Sequence, residues 1–567
     1  MIDARHVLRA CTKSFAAIGG FSLFLNLLML SVPLYSLQLF DRVLTSQNVA
    51  TLALLSIAVA IALLLFGFLE VMRSHVMVRI SIWIDRVLGP ELLACGIRNA
   101  PLINHKDSLQ TLRDLSALRG FVSGAGVFHL FDSPWVPIYV VVIFFMNPFL
   151  GFIALFGAII LGTLAWINEL ATRKALANAN RLAIKVQNNA ESHARNAEVI
   201  EAMGMLPRLV EQWRKQSAQV LAMQSIASDR AGLLAGLTKA LRFAIQVAIM
   251  GVGVSLAIQQ KITPGVMIAA SIMLGRALAP VEQLIGTWKG FVAAREAYKR
   301  IHLRLSLPIS ERSATQLPTP EGEISVERVT FVPPGSEVPS LQGVSFRLEP
   351  GEILGVIGPS AAGKSSLARL LVGVWEPRMG HIRLDGADIY QWERENFGKH
   401  VGYVPQDVEL FSGTVKQNIA RMAPDLVDAD VIAAAQLAES HNMILRLPHG
   451  YDTQIGESGM SLSAGQRQRV ALSRAFYGDI KLLVLDEPNA NLDTAGDRAL
   501  MNAMRHAKQR GITTIIIAHR PSILAEVDKL LVLNEGKVAL FGPRAEVMAK
   551  LNNPNKVTQL PSKTAHG

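Results

Sequence analysis

Charge and cysteine are what this chain of 567 residues has least of. Charged residues make up 18% of it, where a soluble domain carries about 25%, so an entirely water-facing protein is excluded. The two cysteines, Cys11 and Cys95, have no CxxC spacing and cannot build a disulfide framework, which removes dithiol chemistry and thiolate zinc sites. Aromatics are scarce at 6%, and no basic module interleaved with aromatics appears; the net charge of +11 therefore points away from nucleic acid. Hydrophobic residues stand in their place, at 50% of the chain with a mean hydropathy of +0.31. They concentrate in the first half, which predicts a membrane part followed by a soluble part.

Residues 16–40 contain no charge, and about 20 apolar residues suffice to cross the hydrocarbon core. The stretch is too long for a signal-peptide core and is expected to stay uncleaved. Six spans are predicted in all, at about 16–40, 50–72, 127–146, 149–170, 236–258 and 262–283. His129 and Asp132 interrupt the third and are expected at a helix end. Arg276 interrupts the sixth, and an ionisable residue there either faces a cavity or pathway, or snorkels or pairs with an acid such as Glu282.

The loops order these spans. Seven Lys and Arg lie between Arg73 and Arg119 and nine between Arg173 and Arg230, whereas the opposite loops hold Arg42 and Lys261. Basic loops are retained on the cytoplasmic side, so both termini are expected inside. Asn168 to Met203 contains neither Gly nor Pro, which predicts one continuous helix of ~50 Å projecting below the membrane. Gly204 and Pro207 predict a turn at its far end.

Residues 301–322 read as a linker, 323–551 as a soluble domain and 552–567 as a polar tail. Within the domain, the apolar strand EILGVIG runs directly into GPSAAGKSS and then into a helical pattern. This is the phosphate-binding GxxxxGK[ST] loop in the strand-to-helix context it needs. Gly358, Pro359, Ser360, Ala361, Ala362 and Gly363 would wind the backbone so that N–H groups face phosphate, Lys364 adds a cation, and Ser365, beside Ser366, offers a hydroxyl to Mg²⁺. A second apolar strand, KLLVLDEP, ends in two acids: Asp486 is placed to hold Mg²⁺ and Glu487 to polarise an attacking water. Between them, LSAGQRQRV opens a helix on small residues, with Ser463, Gly465 and Gln466 at its start.

That ordered series resembles the ATP-binding cassette of ABC transporters, over about 230 residues. LSAGQ looks like the family's LSGGQ signature with Ala464 at a usual Gly, and the resemblance implies that it binds the γ-phosphate of ATP held by another subunit. Gln406 in YVPQD is similar to the glutamine that senses Mg²⁺ and the transmembrane part, Asp493 in NANLD to the D-loop aspartate, and His519 in TTIIIAHR to the switch histidine. The family places an aromatic on adenine, but here Pro333 takes that position, with Phe331 as the possible substitute.

In the membrane half, SVPLYSLQLFDRVL and LGRALAPVEQLIGTWK resemble type I secretion exporters. The resemblance implies the fold of a type I ABC exporter: an α-helical six-span domain followed by an α/β P-loop NTPase. It also implies a half-transporter, simplest as a homodimer, in a bacterial inner membrane, whose loop turns near Asp107 to Asp114 and Ala202 to Leu209 dock on the cassettes. The expected function is ATP-driven export of a protein such as a protease, lipase or other repeat-in-toxin cargo, with ATP and Mg²⁺ as cofactors and a periplasmic adaptor and an outer-membrane channel as partners. Lipid or drug cargo, or an ATP-gated sensor without transport, are the alternatives. Only about 15 residues precede the first span, so cleavage of a cargo leader is not expected.

Overall fold

The computed structural model describes residues 12–101, 110–306, 317–456, 461–490, 492–518 and 520–552, in two compact units that divide between Ile309 and Ser310. Six helices of the first unit are long and apolar enough to cross a membrane. In chain order the unit holds α1 (Thr12–Ser46), α2 (Val49–Asn99), α3 (Gln110–Val122), α4 (Ala125–Met146), α5 (Pro148–Arg195), α6 (Ala197–Ala202), α7 (Leu206–Ile258) and α8 (Pro264–Leu305).

All six predicted spans are present, and four of them run far past the apolar stretch. α2 has 51 residues, α5 48, α7 53 and α8 42. Hydropathy reports where lipid ends, whereas a helix ends where its backbone does. Capping fixes the other ends tightly: Asn48 Oδ1 accepts from Ala50 and Thr51, Asn147 Oδ1 from Phe149 and Leu150, and Thr263 Oγ1 from Val266. Each cap opens the helix after a short turn, and two of those helices carry Pro at the first position, where no N–H is needed.

The long helix expected over Asn168 to Met203 is interrupted. It ends at Arg195, because Asn196 leaves helical geometry (φ −108°, ψ 27°) and turns its amide back to the Ser192 carbonyl at 2.8 Å. The turn at Gly204 (φ +62°) and Pro207 forms as expected, closed by Met205 N–H donating to the Ile200 carbonyl at 2.9 Å. Of the loop near Asp107 to Asp114, residues 107–109 lie outside the described residues, as does Cys11. α8 continues to Leu305, past the expected linker boundary.

A 3₁₀ turn at Ser133–Trp135 breaks α4, so Asp132 does stand at a helix junction. Its carboxylate accepts from the Ser22 hydroxyl and, at 2.8 Å, from Arg73 Nη1, while Arg73 Nη2 reaches Glu70 at 2.9 Å. The Arg73 side chain is 6% exposed and lies over the Phe128 ring at 4.5 Å. One buried cation with its own partners thus joins α1, α2 and α4, the form in which a charge is tolerated in such surroundings. Glu282 pairs with Arg242 at 2.6 Å, so the expected partner of Arg276 is taken.

Among the described residues the second unit contains three sheets. Strands β1 (Ile324–Phe331), β2 (Leu341–Leu348), β4 (Met379–Leu384) and β5 (Ala387–Asp388) form one, in the order β2-β1-β4-β5. Strands β3 (Ile353–Ile357), β6 (Val401–Val404), β9 (Leu482–Asp486), β10 (Thr513–Ile517), β11 (Lys529–Asn534) and β12 (Lys537–Pro543) form another, in the order β12-β11-β3-β10-β9-β6. A small pair joins β7 (Gly413–Thr414) to β8 (Gln454–Ile455). All neighbours in the six-stranded sheet are parallel except β11 and β12. Its central strands are buried on both faces: Leu483 and Leu485 enter one core, Leu482 and Val484 the other. That double burial accounts for the unbroken apolar runs KLLVLD and ILGVI.

Candidate functional site

Residues 358–363 turn from β3 into helix α9 (Lys364–Leu371). Two glycines are required by contact as well as by dihedral. A Cβ at Gly358 (φ +154°) would stand 2.2 Å from the Leu533 carbonyl oxygen, and one at Gly363 (φ +95°) 2.3 Å from that of Ser340. Between them, Pro359, Ser360 and Ala361 are exposed at the crest and Ala362 is buried beneath it. Lys364 Nζ donates to the Gly358 and Pro359 carbonyls at 2.8 and 2.9 Å, tying the loop from below. Burial lowers the Lys364 pKa, opposed by the nearby Glu487 and Asp486.

Ser365 Oγ donates to Asp486 Oδ1 at 3.3 Å. Asp486 closes β9 and is 1% exposed; burial raises its pKa, with the Ser365 bond pulling the other way. Glu487 follows in left-handed geometry (φ +49°), its N–H held by the Ile517 carbonyl at 3.1 Å. Gln406 Nε2, just past β6, donates to Glu487 Oε2 at 3.4 Å. Lys364, Ser365, Gln406, Asp486 and Glu487 therefore meet outside the carboxyl ends of β3, β6 and β9, the crevice where open parallel sheets bind ligands. Ser366 turns elsewhere, its hydroxyl 3.1 Å from that of Ser340.

Three other expected residues have local roles within the chain. Ser463 caps helix α10 (Ala464–Phe476): its Oγ accepts from Gln466 N–H at 3.2 Å, and Gln466 Oε1 accepts from Ser463 N–H at 2.8 Å. Asp493 caps helix α11 (Thr494–Gln509) through Gly496 N–H at 2.7 Å and meets Arg469 at 3.4 Å. Gly465 lies in the first turn of α10, where backbone N–H groups lack helical acceptors. His519 lies outside the described residues, two positions beyond the end of β10.

Two residues that sequence reasoning passed over stand behind the site. The Tyr403 hydroxyl has its pKa pushed up to about 12, chiefly by burial, with Asp486 also raising it and Arg369 lowering it, and Arg369 lowers the pKa of Asp486. The spacing held a signal: Arg369 follows Ser365 by four positions on α9 and so shares its face. Phe331 is not the substitute for an adenine-stacking aromatic. It is 5% exposed and stacked on Trp375 at 4.8 Å, because it points into the core from the end of β1. Pro333 and the 71% exposed Val338 remain on the loop that follows.

The pocket fits a polyphosphate: its cradle admits no Cβ at Gly358 or Gly363 and carries a lysine beneath. No group of three or more His, Cys, Asp or Glu able to hold a metal occurs among the described residues. One hydroxyl, one amide and one carboxylate suit Mg²⁺, which keeps waters and takes phosphate oxygens instead of a cage made by protein alone.

Residues 341–490 match the ABC transporter family, and 104–278 the ABC transporter transmembrane region. The chain is 42% identical to the type I secretion system ATP-binding protein PrsD of Rhizobium meliloti (strain 1021), over 98% of this chain and 96% of that one. It is 30% identical to the cyclolysin secretion/processing ATP-binding protein CyaB of Bordetella pertussis, over 93% and 75%, and 28% identical to the leukotoxin translocation ATP-binding protein LktB of Mannheimia haemolytica, over 94% and 76%. A solved bacterial Atm1-family ABC exporter with ATP bound shares the fold, with a TM-score of 0.81 at 24% identity over 98% of this chain and 99% of that one. With six apolar helices, a nucleotide cradle and these relatives, the chain belongs to the ABC transporter family, among its type I secretion ATP-binding proteins, as a multi-pass membrane ATPase coupled to protein export.

Proposed function

We propose that two copies of this chain form a homodimer in a bacterial inner membrane, with the ATPase domains in the cytoplasm. The dimer drives a polypeptide with an uncleaved C-terminal signal, of the repeat-in-toxin protease or lipase kind, into a periplasmic adaptor and an outer-membrane channel. The observation that carries the site assignment is the Gln406–Glu487 contact beside the Ser365–Asp486 bond. It brings a coupling amide, a general base and the Mg²⁺-holding groups into one crevice. Lys364 and the N–H groups of 358–363 bind phosphate oxygens, Ser365, Asp486 and Gln406 hold Mg²⁺, and Glu487 orients and polarises the attacking water. Bound Mg²⁺ supplies neutralisation of phosphate charge.

Within one chain the polar contacts of Ser463, Gln466 and Asp493 go to α10, α11 and Arg469. Their proposed role is to complete the partner's site, with the N–H groups at the start of α10 on the γ-phosphate and His519 acting beside it. Cysteines introduced by Ser360→Cys and Gly465→Cys should cross-link between subunits, and ATP should promote it; links formed only within subunits would overturn the sandwich. Deleting the protein from its native cell should remove specific proteins from the medium, and an unchanged set would overturn the cargo reading.

A further inference from the structure

The exposed faces of the spanning helices differ in chemistry. α2 turns outward Leu54, Ile57, Ile61, Leu64 and Phe68; α5 presents Phe149, Phe152, Phe156 and Ile159; α7 presents Phe243, Val247, Val254 and Ile258. Such faces suit hydrocarbon. α8 is different, with the most buried apolar window of the six at 44%. On the single chain, the exposed residues between Gly265 and Ile285 are Arg276 and Gln283, followed by Gly286. These recur at i, i+7 and i+10, and half-buried Pro280 lies at i+4, so all four share one side of the helix. No large apolar residue of α8 before Leu303 is among the exposed ones. A lipid-facing surface would not be built this way.

Toward the outer end this stripe closes, because Ala269 and Gly265 in line with Arg276 are buried. Arg276 is thus its last open member, about 18 Å along the helix from Pro264 at 1.5 Å per residue. Its obvious neutraliser is unavailable, since Glu282 is bound to Arg242, and among the described residues no carboxylate lies within ion-pair distance of it. The same level carries a second unusual group. Pro280 sits inside the helix and has no N–H, and the carbonyl it would serve, four residues earlier, belongs to Arg276. One residue therefore offers a guanidinium and a backbone acceptor without its usual helical donor, at membrane depth, on a polar face.

We propose that Arg276 is a contact point for the polypeptide in transit, its guanidinium taking the carboxylates of acidic segments and its carbonyl taking an N–H of the extended backbone. This rests on the exporter reading above. An extended chain has unpaired N–H groups that a helical wall otherwise leaves unmatched, and a cation in low dielectric selects acidic over basic segments.

The test uses the full-length dimer in nanodiscs and fluorescent polyglutamate and polylysine as probes. Arg276→Glu should weaken polyglutamate binding at least about tenfold, equivalent to ~1.4 kcal/mol, without weakening polylysine and with basal ATP hydrolysis unchanged. Pro280→Ala, which restores the missing N–H, should weaken both probes about threefold. In a chain carrying Cys11→Ser and Cys95→Ser, Arg276→Cys should react with a membrane-impermeant maleimide, and polyglutamate should protect it. No binding of polyglutamate by the native dimer, equal binding by Arg276→Glu, or an Arg276→Cys thiol that reacts only after detergent disruption would each overturn the proposal. A deletion strain with an unchanged secretome overturns the exporter reading itself. An Arg276→Glu strain that secretes its full native set overturns only this contact.

Discussion

The two units put the same apolar side chains to opposite uses. In α2 the most apolar window is 0% buried within the chain, whereas in β9 every residue from Leu482 to Asp486 is buried. Leucine in the first unit is a surface suited to lipid, and in the second it is the filling between a sheet and its helices. The exceptional residue therefore also differs. In the ATPase unit it is the polar group at the end of a buried strand, such as Asp486; in the membrane unit it is the charge inside an apolar helix, such as Arg73 or Arg276. The first kind is held by the fold around it, and the second must bring its own partner or face water.

The largest break between the units should come from chemistry that touches only one of them. Glu487→Gln keeps the shape of the side chain and an oxygen to accept from Gln406, but loses the carboxylate proposed to polarise water. ATP hydrolysis by the purified dimer should fall by ~10²- to 10⁴-fold while nucleotide binding persists. Phosphate release measured beside binding of a fluorescent ATP analogue separates the two, and near-native turnover would remove the role assigned to Glu487.

A smaller effect should arise where a charge is buried among the spans. Arg73→Met leaves Asp132, at 19% side-chain exposure, with the Ser22 hydroxyl and Asn26 amide but without its cation, a loss that costs about 3–5 kcal/mol. The yield of folded protein in detergent should drop sharply. Adding Asp132→Leu should restore most of it, because removing both members of a buried pair is far milder than removing one. If the double variant is as damaged as the single, the pair is not what joins α1, α2 and α4.

These contrasts also explain what could be read from the sequence. The phosphate loop, the Asp486–Glu487 strand end and Gln406 were legible because each follows a short, largely buried strand, where local pattern and three-dimensional position coincide. The six spans were legible from hydropathy, but their lengths were not, since helix continues in water without an apolar signal and stops at Asn196 for a reason only its side-chain bond reveals. Arg276 could be singled out, yet whether it paired with Glu282 could not, because Arg242 on another helix takes that acid. Phe331 was misjudged for a related reason: alternation along β1 points it into the core, and Trp375, a distant residue in sequence, covers it.

A third substitution sharpens the comparison at the loop where the family resemblance puts adenine. The loop after β1 offers Pro333 and Val338 in place of an aromatic. Aromatic stacking on a base contributes ~1–3 kcal/mol, so Pro333→Tyr should tighten ATP binding by about fivefold at the low end. Triphosphate alone, which lacks a base, should bind as before. Unchanged ATP affinity would mean that the base does not reach this loop.

The smallest expected effect concerns the stability cost of the proposed Mg²⁺ site. Asp486 is almost fully buried, and burial raises its pKa above the ordinary carboxylate value. An acid with a raised folded pKa is destabilising when ionised: the cost is absent at a pH below both its folded and unfolded values and grows as pH rises between them. At pH 7 and without nucleotide, the native protein therefore bears a cost that Asp486→Asn removes, while the amide oxygen can still accept from Ser365. The variant should be more stable and melt at a higher temperature. The gap should narrow as pH is lowered toward the ordinary carboxylate value. If Asp486 holds Mg²⁺ as proposed, excess Mg·ATP should reverse the order, because only the carboxylate would gain a cation. Melting midpoints of the full-length protein at pH 5, 6 and 7, with and without Mg·ATP, decide it; a variant that melts lower than the native protein at pH 7 without nucleotide would show that the carboxylate is stabilised by its neighbours in the empty site.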